Sequence, residues 1–223
     1  MLTFSELKKN NSINTYITAA DASLKALGFT EHSFAHVTKV ATDSEYILKT
    51  LKIPEHDIEL AKIAAYLHDI GNVVNRIEHS QSGAVMAFRL LDNLNMPAND
   101  IAKIVTAIGN HDEGTGVPVD EISAALILAD KSDVRRSRVR NTDKSTFDIH
   151  DRVNYSVVNS HLSINDDLKE ITLSLQIDTE YASIMEFEKA AELRDKALKL
   201  REDLENLLNK YKDKPLEEIN ISK

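Results

Sequence analysis

The sequence predicts a mainly α protein, a helical bundle with a C-terminal β-hairpin and one long helix. Three observations carry this. Only six Gly and four Pro punctuate 223 residues, so long uninterrupted elements are expected. Apolar residues recur every three or four positions through residues 12–140, the period of helices that bury one face. Segments 157–164 and 171–177 then change to strand-like patterning.

The first helix is expected over residues 13–27, with Ile13, Ile17, Ala20, Leu24 and Leu27 on one side and Gly28 as its stop. A second spans about 33–51. Pro54 opens a third. Its run Ile58-Glu59-Leu60-Ala61-Lys62-Ile63-Ala64-Ala65-Tyr66-Leu67 is apolar round most of the circumference, so it packs inside the bundle. It ends at His68-Asp69, where Gly71 is expected to adopt the left-handed conformation that closes a helix. Ser80 or Ser82 starts a fourth helix, Ala84 to Leu94, which ends before Pro97 and has His79 at its opening. The fifth, 99–110, carries Ile101, Ile104, Val105 and Ile108 on one stripe, and the sixth, 120–133, runs through Ile122, Ala125, Leu126 and Ala129. A helical domain over residues 1–140 follows. Residues 141–223 are read as an appendage. In it, Ile171, Leu173, Leu175 and Ile177 alternate, Asn165-Asp166-Asp167 supplies turn chemistry, and one helix runs over 181–212. Along that helix Ala190, Leu193, Ala197, Leu200, Leu204, Leu207 and Tyr211 form a seam that needs either the hairpin or a second subunit. A homodimer through this helix is therefore one expectation.

Composition narrows the function. There is no Cys, which excludes disulfides, thiolate zinc sites and cysteine nucleophiles. The start of the chain lacks a basic segment followed by an apolar stretch, and the longest apolar run, 124–129, is far too short to span a bilayer. A cytoplasmic protein with no membrane partner is expected. The net charge of −9 argues against general nucleic-acid binding. A small phosphorylated partner stays open if positive charge is gathered locally.

The chemistry concentrates in a few side chains. His68 and Asp69 end a buried helix, where an unpartnered carboxylate is too costly, so the pair must be hydrogen-bonded, protonated or bound to metal. His36 lies one turn before Val40 on the second helix. His111 continues the stripe of Ile104 and Ile108, and Asp130 lies one turn after Leu126 in an apolar run. Read singly, His79 could be a surface residue at a helix start and His111 a satisfied core imidazole. Read together, imidazoles and carboxylates without thiolates suit iron, manganese, cobalt or nickel, with zinc or magnesium also allowed. Two such ions about 3.5 to 4 Å apart can share a carboxylate and activate a water for attack on phosphorus.

His36, the His68-Asp69 doublet and Asp130 resemble the H…HD…D signature of the HD superfamily of metal-dependent phosphohydrolases, in order and helical context. The resemblance covers about residues 30–140. His79 and His111 further resemble the two extra His of its dinuclear branch, which includes symmetrical diadenosine tetraphosphate hydrolases and HD-GYP proteins. It implies an HD-domain bundle in which His36, His68, Asp69 and Asp130 hold one divalent metal, with His79 and His111 holding a second across Asp69. It also implies a phosphohydrolase that cleaves a phosphomonoester or phosphoanhydride, of a nucleotide in the leading reading, by metal-activated hydroxide. Two departures stand out: Asn72 replaces the Lys of the frequent HDxGK motif, and no GYP triplet follows. The expected compensation is the basic cluster after Asp130, with Lys131, Arg135, Arg136 and Arg138 binding substrate. Asp69, Lys131 and His32 are the expected catalytic groups, His32 as proton donor to the leaving oxygen. The rivals are a non-catalytic metal- or nucleotide-binding regulatory module and an HD-fold di-iron oxygenase.

Overall fold

The computed structural model describes residues 2–112, 114, 116–165 and 170–181. The helix expected over 181–212 lies outside the described residues apart from Tyr181, as does its seam, and so do Asp166 and Asp167 of the expected turn. Among the described residues the helices are α1 (Phe4–Leu7), α2 (Asn11–Ala26), α3 (Phe34–Thr50), α4 (Glu55–Leu67), α5 (His79–Asn93), α6 (Ala98–Gly109), α7 (Glu121–Ser132) and α8 (Ile149–Ser156). Two strands follow, β1 (Val157–Ile164) and β2 (Ile171–Ile177). The fold is mainly α, as the sequence predicts.

Local chemistry sets the boundaries. Asn10 caps α2 by accepting from the Ile13 N–H at 3.2 Å, and Asp120 caps α7 in a reciprocal box with Ser123. Pro54 and Pro97 precede α4 and α6, where a missing N–H does no harm. α1 and α8 have no counterpart in the sequence reading. α1 is four residues long, held by a Thr3–Glu6 capping box and by burial of Leu7. α8 is polar and starts at an Asp148 cap, so neither element carries an apolar period.

α4 is the centre of the bundle. Ile58, Leu60, Ala61, Ile63, Ala64, Ala65, Tyr66 and Leu67 are all buried, and α4 packs against α3, α6 and α7. α5 in turn packs on α6 and on a 3-10 turn, Ile70–Val73, that follows α4. The hairpin is antiparallel, with Leu162 opposite Leu173 and Ile164 opposite Ile171, and a register shift lies between Val157 and Asn159. β1 lies against the bundle: the Ile164 N–H donates to the Tyr46 hydroxyl at 3.2 Å, and the Ser160 hydroxyl donates to the Ser132 carbonyl at 2.8 Å. Among the described residues no helix is long and apolar enough to cross a membrane.

Gly71 corrects an expectation. Among the described glycines only Gly28 has a positive φ, at 84°. Gly71 is a glycine for want of space: a Cβ there would lie 1.9 Å from the His79 carbonyl oxygen and 2.5 Å from the Gly83 nitrogen. Helix α4 ends instead by tightening into the 3-10 turn. Two backbones touch at Gly71, and this contact sets His79 against His68 and Asp69.

Candidate metal centre

Six side chains from five helices meet at one point. His36 comes from α3, His68 and Asp69 from the end of α4, His79 from the start of α5, His111 from just after α6, and Asp130 from α7. The four imidazoles are buried, as is Asp69. On one side Asp69 Oδ2 lies 3.6 Å from His36 Nε2 and 3.1 Å from His68 Nε2, while Asp130 Oδ1 lies 3.2 and 3.6 Å from the same nitrogens. On the other side Asp69 Oδ1 is 3.5 Å from His79 Nε2, and that nitrogen is 3.2 Å from His111 Nε2. The structure thus brings together all six residues expected to hold metal, with Asp69 between the two halves.

The hydrogen bonds on the far side of each ring decide what faces inward. The His68 Nδ1–H donates to the Ala65 carbonyl at 2.7 Å, His111 to Ile108 at 2.6 Å and His79 to Arg76 at 3.1 Å. In each case the acceptor is three residues earlier. For His68 and His111 it is a carbonyl of a helix's last turn, which has no partner within the helix. The His36 Nδ1–H donates to Asp133 Oδ2 at 2.8 Å. With every Nδ1 committed, the four Nε2 atoms are left to converge, the arrangement in which second partners orient imidazole ligands.

These inward atoms lack partners. His36 Nε2, His68 Nε2 and Asp69 Oδ2 are buried and make no hydrogen bond, a costly state for polar atoms. His79 Nε2 lies 3.2 Å from His111 Nε2 and 3.3 Å from a terminal nitrogen of Arg76. Burial keeps His111 neutral, down at about 3, and also lowers His79. Burial opposes charge on His68 as well, yet Asp69 and Asp130 push it up to about 10. Both carboxylates are held well below the usual range despite their burial, Asp69 chiefly by His68 and Asp130 chiefly by Lys131. The site therefore calls for positive charge. Ligands at about 2.1 Å from a metal lie roughly 3.0 to 3.4 Å from one another in octahedral or tetrahedral geometry, close to the separations found here. Among the described residues two groups could hold an ion: His36, His68 and Asp130, and His68, Asp69 and His111.

Several neighbours were not legible in the sequence. Asp133, one turn past Asp130, is buried and receives His36 on one side and the Arg135 Nε–H at 2.8 Å on the other. Asn72, where a Lys was looked for, donates to both the backbone oxygen and Oδ1 of Asp69, each at 2.9 Å, and so fixes that carboxylate. An Asp133→Asn protein should keep its fold yet bind Mn2+ about 10–100-fold more weakly by calorimetry, because the amide no longer holds His36 in one tautomer.

The basic cluster and His32 have partners of their own. Arg135 bonds Asp133 and reaches Glu31 at 2.9 Å, Arg136 bonds Asp178 at 2.9 Å and the Tyr155 carbonyl, and Arg138 is buried, donating to the Glu31 and Asp133 carbonyls. Arg140 pairs with Asp21. These guanidiniums tie the segment after α7 to its surroundings. Lys131 differs, with its Nζ 2.7 Å from Asp130 Oδ2 at the edge of the centre. His32 packs edge-on to His36, but its Nδ1–H donates to the Thr30 carbonyl at 2.7 Å. Burial, outweighing the pull of Asp69, keeps it neutral at about 3. Its Nδ1–H is committed to the backbone. Asp112 stays 4.0 Å from His79.

The HD domain family model matches residues 33–207. An uncharacterized protein of Methanocaldococcus jannaschii is 26% identical over 171 residues, an alignment covering 66% of this chain and 65% of that protein. The chain thus matches just under two thirds of that curated relative's length. A crystal structure described as a predicted HD superfamily hydrolase, from an uncultured Thermotogales bacterium, is 23% identical with a TM-score of 0.45. It covers 60% of this chain and 75% of its own. With most of its length matched by the family model, and with His36, His68, Asp69 and Asp130 gathered in three dimensions, the chain belongs to the HD domain family.

Proposed function

We propose that the chain is a metal-dependent phosphohydrolase acting on a phosphomonoester or phosphoanhydride, with a nucleotide as the substrate class. The observation that carries this is the set of four imidazoles whose Nδ1 atoms are committed, with the Nε2 atoms of His36, His68 and His79 facing Asp69 or Asp130 and that of His111 facing His79. His36, His68, Asp69 and Asp130 would hold one divalent ion, and Asp69, His79 and His111 a second. Bound there, the ions would supply Lewis-acid charge and a nucleophilic water at neutral pH.

The chain's own residues do the rest. Asn72 and Asp133 hold Asp69 and His36 in register, so little reorganisation accompanies reaction. Ile17, Ala20, Val37 and Ile70 gather beside Asp69 and His32 and leave no room there for a water molecule. Lys131, beside Asp130, offsets charge on the phosphoryl oxygens. Protein loaded with manganese, iron or cobalt should release inorganic phosphate from some member of a nucleotide panel. No release with any of these metals, from protein shown to be folded, would discard the reading.

A further inference from the structure

The geometry points to Arg76 as the residue that binds the anionic, phosphoryl part of the substrate beside the centre, an inference that rests on the phosphohydrolase reading above. Arg76 lies between the 3-10 turn and α5 and is partly exposed. One terminal nitrogen of its guanidinium is 3.3 Å from His79 Nε2 and 3.4 Å from Asn72 Oδ1, and its Cζ lies 5.5 Å from the centroid of the Phe29 ring. Among the described residues it has no carboxylate partner, whereas Arg135, Arg136 and Arg140 each pair with an Asp or Glu. In a chain with 36 acidic and 27 basic residues, a guanidinium without an acid beside a buried polar cluster needs a reason.

The reason follows from His79. Its Nδ1 is committed to the Arg76 carbonyl, so its single remaining lone pair is the one Arg76 now approaches and the one a cation would take. When an ion takes it, Arg76 loses that contact and stands a few ångströms from a divalent charge. Two cations so close are stable only with an anion between them. The Phe29 ring holds the guanidinium in place without neutralising it, and Asn72 offers only a neutral oxygen. A planar fork of donors facing a metal-ligating His from the solvent side matches two oxygens of a phosphoryl group. The expected ligand is therefore a phosphate ester or anhydride whose oxygens bridge Arg76 and the centre.

The test uses manganese-loaded wild type, Arg76→Met and Arg76→Lys, with inorganic phosphate as the calorimetric probe. Metal content and Tm are measured on each. Arg76→Met should retain its manganese and its Tm, bind phosphate about 10–100-fold more weakly, and show a raised KM for whichever nucleotide the wild type hydrolyses. Arg76→Lys should recover part of both. Phosphate affinity and KM equal to wild type in Arg76→Met would overturn the inference, as would a wild type that turns over nucleotide without measurable phosphate binding. Phosphate binding that depends on Arg76, in a protein inactive with every metal, would uphold this site while discarding the hydrolase.

Discussion

Asp69→Asn is expected to abolish metal loading on both sides of the centre and to lower kcat by on the order of 10^3-fold or more, equivalent to several kcal/mol of lost transition-state stabilisation. Asp69 faces both halves: Oδ2 lies within 3.6 Å of His36 and His68, and Oδ1 lies 3.5 Å from His79. An amide there keeps the volume, so packing around Leu67 and Ile70 survives, but it removes the charge that draws cations. The readout that separates metal loss from misfolding is thermal. Wild type at manganese about 100-fold above its Kd should gain about 2.7 kcal/mol, or about 5–10 °C in Tm for a chain of this size. Asp69→Asn should melt cooperatively and gain nothing on adding manganese.

Gly71→Ala is expected to be worse for the fold than any ligand replacement. The added Cβ would sit 1.9 Å from the His79 carbonyl and 2.6 Å from the Ser82 hydroxyl. The nearest of these is backbone, so no rotamer change relieves the clash. The 3-10 turn and α5 must part. Overpacking of this kind costs roughly 3 kcal/mol or more, about 6–12 °C in Tm. The damage should also reach the centre. Moving α5 carries His79 away from Asp69, so whatever folded protein remains should lose its second ion before its first. An alanine at Gly28, with nothing within 4 Å of the new Cβ, makes the control: its φ of 84° brings only the strain of a left-handed residue, about 1–2 kcal/mol, with metal binding intact.

What was legible in the sequence depended on period. His111 continues the stripe of Ile104 and Ile108, and Asp130 follows Leu126 by one turn, so their inward direction could be read from apolar spacing. β1 and β2 were legible with both ends because alternation stops where the turns begin. Residues that act through contact rather than period were not. Asp133 looks like any acidic residue after a helix until α3 places His36 against it. Arg76 sits in the loop three residues before His79, and only the turn into α5 lays its guanidinium against that ring. The basic segment after Asp130 shows another limit: charge counts along a chain cannot reveal that Glu31, Asp21 and Asp178 fold back onto it. Gly71 was marked by the sequence, but spacing alone does not tell a glycine needed for its φ from one needed for its missing side chain.

The most direct measurement is anomalous diffraction at the metal edge, from crystals of the full chain grown with manganese. The account predicts two peaks per chain, one bounded by His36, His68 and Asp130 and one by His79 and His111, with Asp69 between them. A crystal with either peak missing at saturating manganese, or with manganese bound only elsewhere, would contradict it.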